Sequence, residues 1–383
     1  MPVPRLELRF LGRSRHAFRL CGYAGVVAAV ALATIVVSAT GNSPTAMALV
    51  SLAGALTFLA LVAATVVCSG QERIVYYHHE IAVLAVAAAV AAALGEPVLP
   101  YVDATAIGLG AFLACGRIGC LNAGCCHGRA RAGGVLYGPA HGDAGLADAY
   151  VGVPLFPVQA VEAAWALALA AAGTALAVGG AAPGAAAALY VSGYAVARFG
   201  LELLRGDAVR PRLAGLSQPQ WLSLACSAAV VAGGIVGAVP AHPLHVVAAA
   251  GLLTAAVVVV LRRRGAGTLG APGHEQELVA AIRAALRGGD AARVLTTAAG
   301  VSVSGGRVAT AAGDVAHVTL SYGERAVPSG LARTAARILR ALHPGAAATE
   351  IRRAPSGVVH VVSAAEPRRS ARPAGAAVTR SAT

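Results

Sequence analysis

Residues 104–129 read ATAIGLGAFLACGRIGCLNAGCCHGR, an apolar run that ends in a dense group of glycines, cysteines and polar residues. The last part, residues 116–129, holds four glycines, three cysteines and a histidine, with Arg117 at the rim of a segment of membrane-spanning length. Little else in this alanine- and valine-rich chain is so chemically dense. We therefore expect a membrane helix here and the chemistry of the protein at its end.

The composition places the chain in the membrane. The residues are 57% hydrophobic and only 12% charged, which no ordinary soluble domain matches. All basic side chains are arginines, and the formal net charge is +13. In a membrane protein an excess of positive charge is typical of segments that contact anionic lipids or set the orientation in the membrane. We therefore expect the membrane, and no nucleic acid, as a partner.

Runs of about 20 apolar residues predict transmembrane helices. Eight such runs occur, at 17–40, 44–68, 75–94, 101–123, 155–178, 184–204, 220–239 and 244–261. The first run is too long for a signal peptide and lacks a convincing cleavage site, so it is interpreted as an anchor. The sequence thus predicts an all-α polytopic membrane protein with seven to eight transmembrane helices.

The flanking regions differ in composition from the apolar runs. Residues 1–16 form a basic N-terminal segment, and 17–264 form the transmembrane domain. Residues 265–367 contain no cysteine and predict a small soluble α+β domain, with helices at 275–287 and 330–342 and strands at 299–308, 315–322 and 358–362. No catalytic signature was found in this domain, and residues 368–383 are predicted to be disordered.

Polar residues recur at helical spacing inside two of the apolar runs. They are Gln159 and Glu162 in the fifth run, and Tyr194, Arg198, Glu202 and Arg205 at the end of the sixth. The spacing predicts one polar stripe on each helix. An Arg198–Glu202 pair within the helix would partly offset its own desolvation. A stripe of four such groups is still costly in a membrane unless a cavity or a polar ligand receives it.

Arginine and glycine together suggest a phosphate site. The guanidinium of Arg117 matches a phosphate with its planar fork of donors, and Arg198 from another helix would complete a two-armed clamp. Gly116 and Gly128 allow the backbone to turn closely around a polar headgroup.

Four segments in order, GRIGCLNAGCCHG, FPVQAVEA, YAVARFGLELLR and GLSQPQW, resemble the prolipoprotein diacylglyceryl transferase family. The resemblance covers about residues 70–240. It implies a multi-pass enzyme of the bacterial cytoplasmic (inner) membrane that transfers the diacylglyceryl group of phosphatidylglycerol to a thiol. The acceptor is the lipobox cysteine in the signal peptide of a prolipoprotein, and glycerol phosphate leaves. No cofactor and no metal ligand are implied.

The resemblance also implies roles for individual residues. The signature arginine and closing glycine of the family fall on Arg117 and Gly128, its later tyrosine and arginine on Tyr194 and Arg198, and its glutamine and glutamate on Gln159 and Glu162; Glu202 and Arg205 lie on the same matching segment. We therefore expect His79, Arg117, Tyr194, Arg198 and Glu202 to be catalytic, and Gly116, Gly128, Gln159, Glu162 and Arg205 to bind substrate. Arginines would stabilise charge on the leaving phosphate, and a base would convert the attacking thiol to the thiolate.

The chain departs from the family pattern in three respects. The His-Gly-Gly motif of the family is replaced by His78-His79-Glu80, of which His79 is the expected base. The signature asparagine is Cys120, and an acidic position is Cys125. The family places its signature outside the cytoplasmic membrane, whereas the positive-inside rule places the basic flanks, including 262–264, in the cytoplasm. The sequence leaves the side of the membrane open.

Two alternative functions remain open at this point. A non-catalytic phospholipid-binding scaffold would keep the arginines and lack the base. A metal or redox membrane protein would use Cys120, Cys125, Cys126 and His127. The spacing C-x4-C-C-H is not a familiar zinc pattern, and adjacent cysteines rarely chelate one ion well.

Overall fold

The computed structural model describes residues 4–10, 12–70, 75–207, 211–266, 269, 271–287, 294–310, 313–343 and 345–365. Contacts between residues divide the chain into two compact units, Met1–Gly273 and His274–Thr383. The predicted disordered tail, 368–383, lies outside the described residues.

The first unit is helical, with short strands in its connections. In chain order it contains β1 (Glu7–Phe10), β2 (Arg13–His16), α1 (Ala17–Ala39), α2 (Pro44–Ser69), α3 (Tyr76–Ala93), α4 (Val98–Ala123), β3 (Ala130–Val135), α5 (Pro139–Asp143), a 3₁₀ turn (Asp148–Tyr150), α6 (Val158–Val178), α7 (Ala185–Leu201), β4 (Arg212–Leu213), β5 (Leu216–Ser217), α8 (Gln218–Ile235) and α9 (Pro243–Ala266).

Each of the eight predicted apolar runs forms a helix, but not all are long and apolar enough to cross a membrane. Within the described part of the chain, six helices meet both conditions: α1 to α4, α6 and α9. Helix α7 has only 17 residues, and α8 begins with the polar sequence Gln218-Pro219-Gln220. The structure therefore supports a mostly helical membrane protein, while the count of seven to eight spans stays a prediction.

Helix α4, which carries Arg117, is the central helix of the first unit. Of its most apolar window, 67% is buried, against 11–33% in the five other candidate spans. It packs against α1, α3, α6 and α7. Gly110 permits this close packing, because a Cβ there would lie 3.1 Å from Ala166 O of α6 and from the Tyr190 ring of α7. The apolar run that ends in the cysteine-rich sequence is thus the core of the bundle.

A buried carboxylate fixes the start of α7 on α4. Asp103 is 5% exposed, and its two oxygens accept hydrogen bonds from the backbone N–H groups of Gly184 and Ala187, each at 2.7 Å. These are among the N–H groups that a helix N-terminus leaves without partners in the helix itself. The contact thereby sets the position of the helix that carries Tyr194 and Arg198.

Two segments have more structure than the sequence indicates. The basic N-terminal segment contains an antiparallel hairpin in which Glu7 pairs with His16 and Phe10 with Arg13. The connection between α4 and α6 contains β3 and α5, and it is tied back by isolated bridges from Ala130 and Val135 to Leu155. The connection that follows the cysteine-rich sequence is therefore an ordered segment.

The second unit is a small α+β fold, as the sequence predicts. It contains α10 (Pro272–Arg287), β6 (Leu295–Thr296), β7 (Ser302–Thr310), β8 (Gly313–Ser321), α11 (Ser329–Leu342), β9 (Ala346–Arg353) and β10 (Val359–Ala365). The five strands form one sheet in the order β6-β7-β8-β10-β9, with every pairing antiparallel. Alternate residues of β8, namely Ala316, Val318 and Leu320, are buried, and α11 packs on β8, β9 and β10. The sequence did not predict β6 or β9.

Candidate active site

Glu162 is the centre of a buried ionic cluster. It lies in the second turn of α6 and is 1% exposed. Its Oε2 is 2.9 Å from Nε of Arg117 on α4. Its Oε1 accepts the hydroxyl of Tyr194 at 2.8 Å and lies 3.9 Å from Nε of Arg198. One carboxylate therefore joins three helices and holds both arginines of the expected phosphate clamp.

The second part of the cluster begins where α7 ends. Nη1 of Arg198 is 2.9 Å from Oε2 of Glu202, so the pair within one segment that the spacing suggested is present. Helix α7 stops at Leu201, however, and Glu202 is its C-terminal cap. Arg205 lies beyond the helix in a β-bridge with Gly128. The expected continuous stripe to Arg205 is therefore wrong, because the chain leaves the helix to pair with the end of the cysteine-rich sequence.

Arg205 is a buried cation that uses only part of its hydrogen-bond donors within the described residues. It is 4% exposed and donates from Nε and Nη2 to the two oxygens of Asp207 at 2.8 and 2.7 Å. Burial opposes its charge, but the neighbouring Cys126 and Asp207 together hold the pKa of Arg205 well above its ordinary value. Its Nη1 is buried and has no hydrogen-bond partner among the residues that the structure describes. Such a donor is suited to an anionic ligand, since an unpaired buried donor is costly.

Gly128 is required by its surroundings, whereas Gly116 is not. A Cβ on Gly128 would lie 2.5 Å from Phe156 O and 2.9 Å from Val158 Cγ2. The backbone N–H of Gly128 donates to the same Phe156 O at 3.0 Å. At Gly116 a Cβ would meet nothing within 4 Å. Gly128 thus lets the chain after α4 pass directly against the start of α6, and open space lies beside Gly116.

Gln159 braces the turn after α4 and takes no part in the ion pairs among the described residues. It is 1% exposed, and its Nε2 donates to the backbone oxygen of Cys125 at 2.7 Å. Its Oε1 is buried and forms no hydrogen bond within the described part of the chain. Gln159 therefore positions the cysteine-rich turn, which is a different contribution from that of Glu162 one turn later.

The family model described as prolipoprotein diacylglyceryl transferase matches residues 11–236. This match covers more than half of the 383 residues. The chain belongs to the prolipoprotein diacylglyceryl transferase family. The match begins well before the segments that suggested the family, so it includes the first two helices. A search of curated proteins finds no match.

The expected base of this transferase-family site, His79, lies on α3 apart from the ionic cluster. It is 2% exposed, and its ring packs against Phe58 with 4.5 Å between centroids. Its Nδ1 is 3.0 Å from Val75 O, so Nδ1 carries the proton, because a carbonyl oxygen only accepts. Its Nε2 is buried, and no described residue forms a hydrogen bond with it. Within the described residues, no hydrogen bond joins it to Arg117 or Glu162.

The sequence analysis missed a group of buried polar residues beside the cluster. Tyr76 and Tyr190 share a hydrogen bond of 2.6 Å, and the Tyr76 ring lies 5.3 Å from that of Tyr194. Glu80, one turn after Tyr76, is 2% exposed with Oε2 unpartnered. Helical spacing from Tyr76 was the available signal. The clustering itself depends on side-chain contacts from Tyr76 on α3 to Tyr190 and Tyr194 on α7.

The four residues of the metal alternative do not form one ligand set. The thiol sulfurs of Cys120, Cys125 and Cys126 all lie within 4.8 Å of one another. His127 is not part of this group of ligand atoms; its Nδ1 donates to Gly128 O at 2.9 Å, and its ring meets Tyr150 edge-on at 4.9 Å. Burial lowers the pKa of His127. Membership of the transferase family therefore argues against the alternative that the chain belongs to a class of metal or redox membrane proteins.

Proposed function

We propose that this protein transfers the diacylglyceryl group of phosphatidylglycerol to the lipobox cysteine of prolipoproteins, in the cytoplasmic (inner) membrane of bacteria. Membership of the transferase family supports this reaction. The observation that carries it is the Glu162 carboxylate, which holds Arg117 and Arg198 from two other helices at one place. Two guanidiniums fixed side by side in a buried site match the phosphate of a phospholipid.

The proposed reaction is a displacement at the carbon of the diacylglyceryl group that bears the phosphate. The thiolate of the acceptor cysteine forms a carbon–sulfur bond to that carbon while the carbon–oxygen bond to the phosphate breaks. Glycerol phosphate leaves with the bonding electrons, and the thiol proton passes to a base of the protein. Arginine stabilises the charge that accumulates on the leaving phosphate, an effect that is strong in a buried site.

In this proposal the arginines are oriented before the lipid arrives. Glu162 and Glu202 hold Arg117 and Arg198 in fixed positions, so little side-chain freedom is lost when the phosphate binds. Arg205 supplies a further donor through its unpartnered Nη1. Tyr194 donates to Glu162 and thereby orients the carboxylate between the two guanidiniums.

His79 is the proposed base. Because its Nδ1 carries the proton, its Nε2 presents a lone pair that no described residue occupies. A neutral imidazole of this tautomer is suited to accept a thiol proton. The open space at Gly116 is the proposed place for part of the lipid. Gly128 and Gln159 are proposed to shape the edge of the same site.

The experiment that tests this proposal is complementation. Bacteria depleted of their own transferase receive the wild type, Arg117→Ala or Arg19→Ala, and the diacylglyceryl modification of a reporter prolipoprotein is followed. Arg19 is exposed on α1 and serves as a control arginine. We expect modification by the wild type and by Arg19→Ala, and none by Arg117→Ala at equal membrane abundance.

An unmodified reporter in the presence of well-inserted wild type would refute the transferase activity. The purified protein would then be analysed for co-purified phosphatidylglycerol. Retention of that lipid without transfer would identify the protein as the phospholipid-binding scaffold.

A further inference from the structure

Three thiols converge where α4 ends. Cys120 lies in the last turn of α4, and Cys125 and Cys126 follow the glycine that caps the helix, Gly124. Their sulfur atoms all lie within 4.8 Å of one another. Cys120 is buried, Cys126 is half-buried and Cys125 is exposed. The cluster is therefore accessible on one side, at Cys125, and closed on the other.

The backbone explains how two adjacent cysteines come to face the same point. Successive side chains of extended chain point to opposite sides, and this argues against chelation by a Cys-Cys pair. Here Gly124 has φ +73° and Cys126 has φ +57°, both in the left-handed region. For a residue other than glycine, this conformation is strained and persists only where the surroundings enforce it. The turn thus brings the Cys126 thiol towards those of Cys120 and Cys125.

The spacing of the sulfurs suits a thiophilic metal ion. Zinc binds thiolate sulfur at about 2.3 Å in tetrahedral geometry, which places its sulfur ligands roughly 3.8 Å apart. Thiols within 4.8 Å of one another reach that separation by side-chain rotation and small shifts. The exposed side at Cys125 leaves room for a fourth ligand. Three thiolates and one divalent ion carry one net negative charge.

We propose that Cys120, Cys125 and Cys126 form a trithiolate site that binds one Zn²⁺ ion. The ion would cross-link the end of α4 to the turn that leads to Gly128, and so hold the edge of the ionic cluster in place. This site is structural, and the proposal is independent of the transferase reaction. It differs from the four-ligand alternative because His127 takes no part.

Metal titration tests the site directly. The full chain is purified in detergent, reduced, stripped with a chelator and titrated with Co²⁺ alone, whose thiolate charge-transfer band reports sulfur ligation. Zn²⁺ is then added to displace it. We expect one ion per chain in the wild type and in the control variants Cys115→Ser and Cys226→Ser. In Cys120→Ser, Cys125→Ser and Cys126→Ser we expect affinity to fall by more than about 100-fold, since loss of an outer-shell partner alone costs about 10–100-fold.

A second measurement needs no variant. The wild type is alkylated with and without Zn²⁺, and each cysteine is followed by mass spectrometry. Zn²⁺ should protect the three clustered thiols and leave the exposed Cys68 reactive. The proposal is overturned if the reduced wild type binds no metal, if binding survives Cys126→Ser, or if Zn²⁺ protects none of the three thiols. A disulfide between two of them that persists after reduction would overturn it as well.

Discussion

Nε of Arg117 lies 2.9 Å from Oε2 of Glu162, and the two side chains are 10% and 1% exposed. This pair joins the central helix α4 to α6 inside a membrane bundle. A buried pair is weak evidence for stability, because desolvation offsets much of the attraction. Its value here lies in orientation, since the same carboxylate also meets Tyr194 and Arg198.

We predict that Glu162→Gln abolishes transfer and destabilises the bundle. Removal of one partner from a buried ion pair costs about 3–5 kcal/mol, because the other charge is left uncompensated. Transfer to a reporter peptide and the thermal unfolding midpoint in detergent measure the two effects. Glu350→Gln is the control, since Glu350 pairs with Arg352 at the surface, where ion pairs contribute little. If Glu162→Gln and Glu350→Gln have the same transfer rate and the same unfolding midpoint, Glu162 does not organise the site.

Tyr194→Phe should lower the transfer rate by about tenfold or more, since a hydrogen bond to a charged group is worth about 1.5–3 kcal/mol. The phenyl ring keeps the stacking with Tyr190, whose centroid lies 6.1 Å away. Tyr190→Phe is the matched control, because its hydroxyl bonds to the neutral Tyr76. Single-turnover rates of both variants are compared with the wild type. A larger loss in Tyr190→Phe would place the essential hydroxyl on that residue.

His79→Gln should reduce transfer by about 10²–10⁴-fold, the usual contribution of a general base. Lipid binding should persist, because the arginines are unchanged. Glu80→Gln is the neighbouring variant, since this buried carboxyl also has an unpartnered oxygen. Transfer rates and co-purified phosphatidylglycerol are measured for both. If His79→Gln keeps its activity and Glu80→Gln loses it, the base is Glu80.

Alanine at two glycines should have opposite effects. Gly128→Ala places a Cβ 2.5 Å from Phe156 O, so we expect loss of folded protein or a large fall in the unfolding midpoint. Gly116→Ala meets nothing within 4 Å, and alanine in a helix interior is favoured over glycine by about 0.5–1 kcal/mol. Thermal unfolding in detergent measures both. A stable Gly128→Ala variant would show that the chain after α4 can move away from α6.

Asp103→Ala should lower the unfolding midpoint and the transfer rate together, although Asp103 lies outside the ionic cluster. Two backbone N–H groups at the start of α7 would lose a charged acceptor, and each such bond is worth about 1.5–3 kcal/mol. Thr105→Ala on the same helix is the control, because its hydroxyl bonds only within α4, to Tyr101 O. If Asp103→Ala keeps the wild-type transfer rate, the contact that fixes the start of α7 is not needed for the reaction.

Much of the fold could be predicted from hydropathy. All eight apolar runs are helices, because a chain inside lipid must satisfy its backbone hydrogen bonds within each segment. Hydropathy did not settle how many helices cross the membrane. The polar residues of α7 and α8 make these two helices short or less apolar, so only six helices meet the criteria in the described part of the chain.

The sequence by itself determined the family, the helical segments and most of the polar residues of the cluster, since these follow from residue type and local spacing. The tertiary structure decided which of them meet. It placed Glu162 between Arg117 and Arg198, ended α7 before Arg205 and brought Tyr76 beside Tyr190. It also turned Cys126 towards Cys120 through a left-handed backbone. Contacts between helices, and the left-handed φ of Cys126, depend on the packing of the whole bundle. They therefore cannot be predicted from the spacing of residues along the sequence.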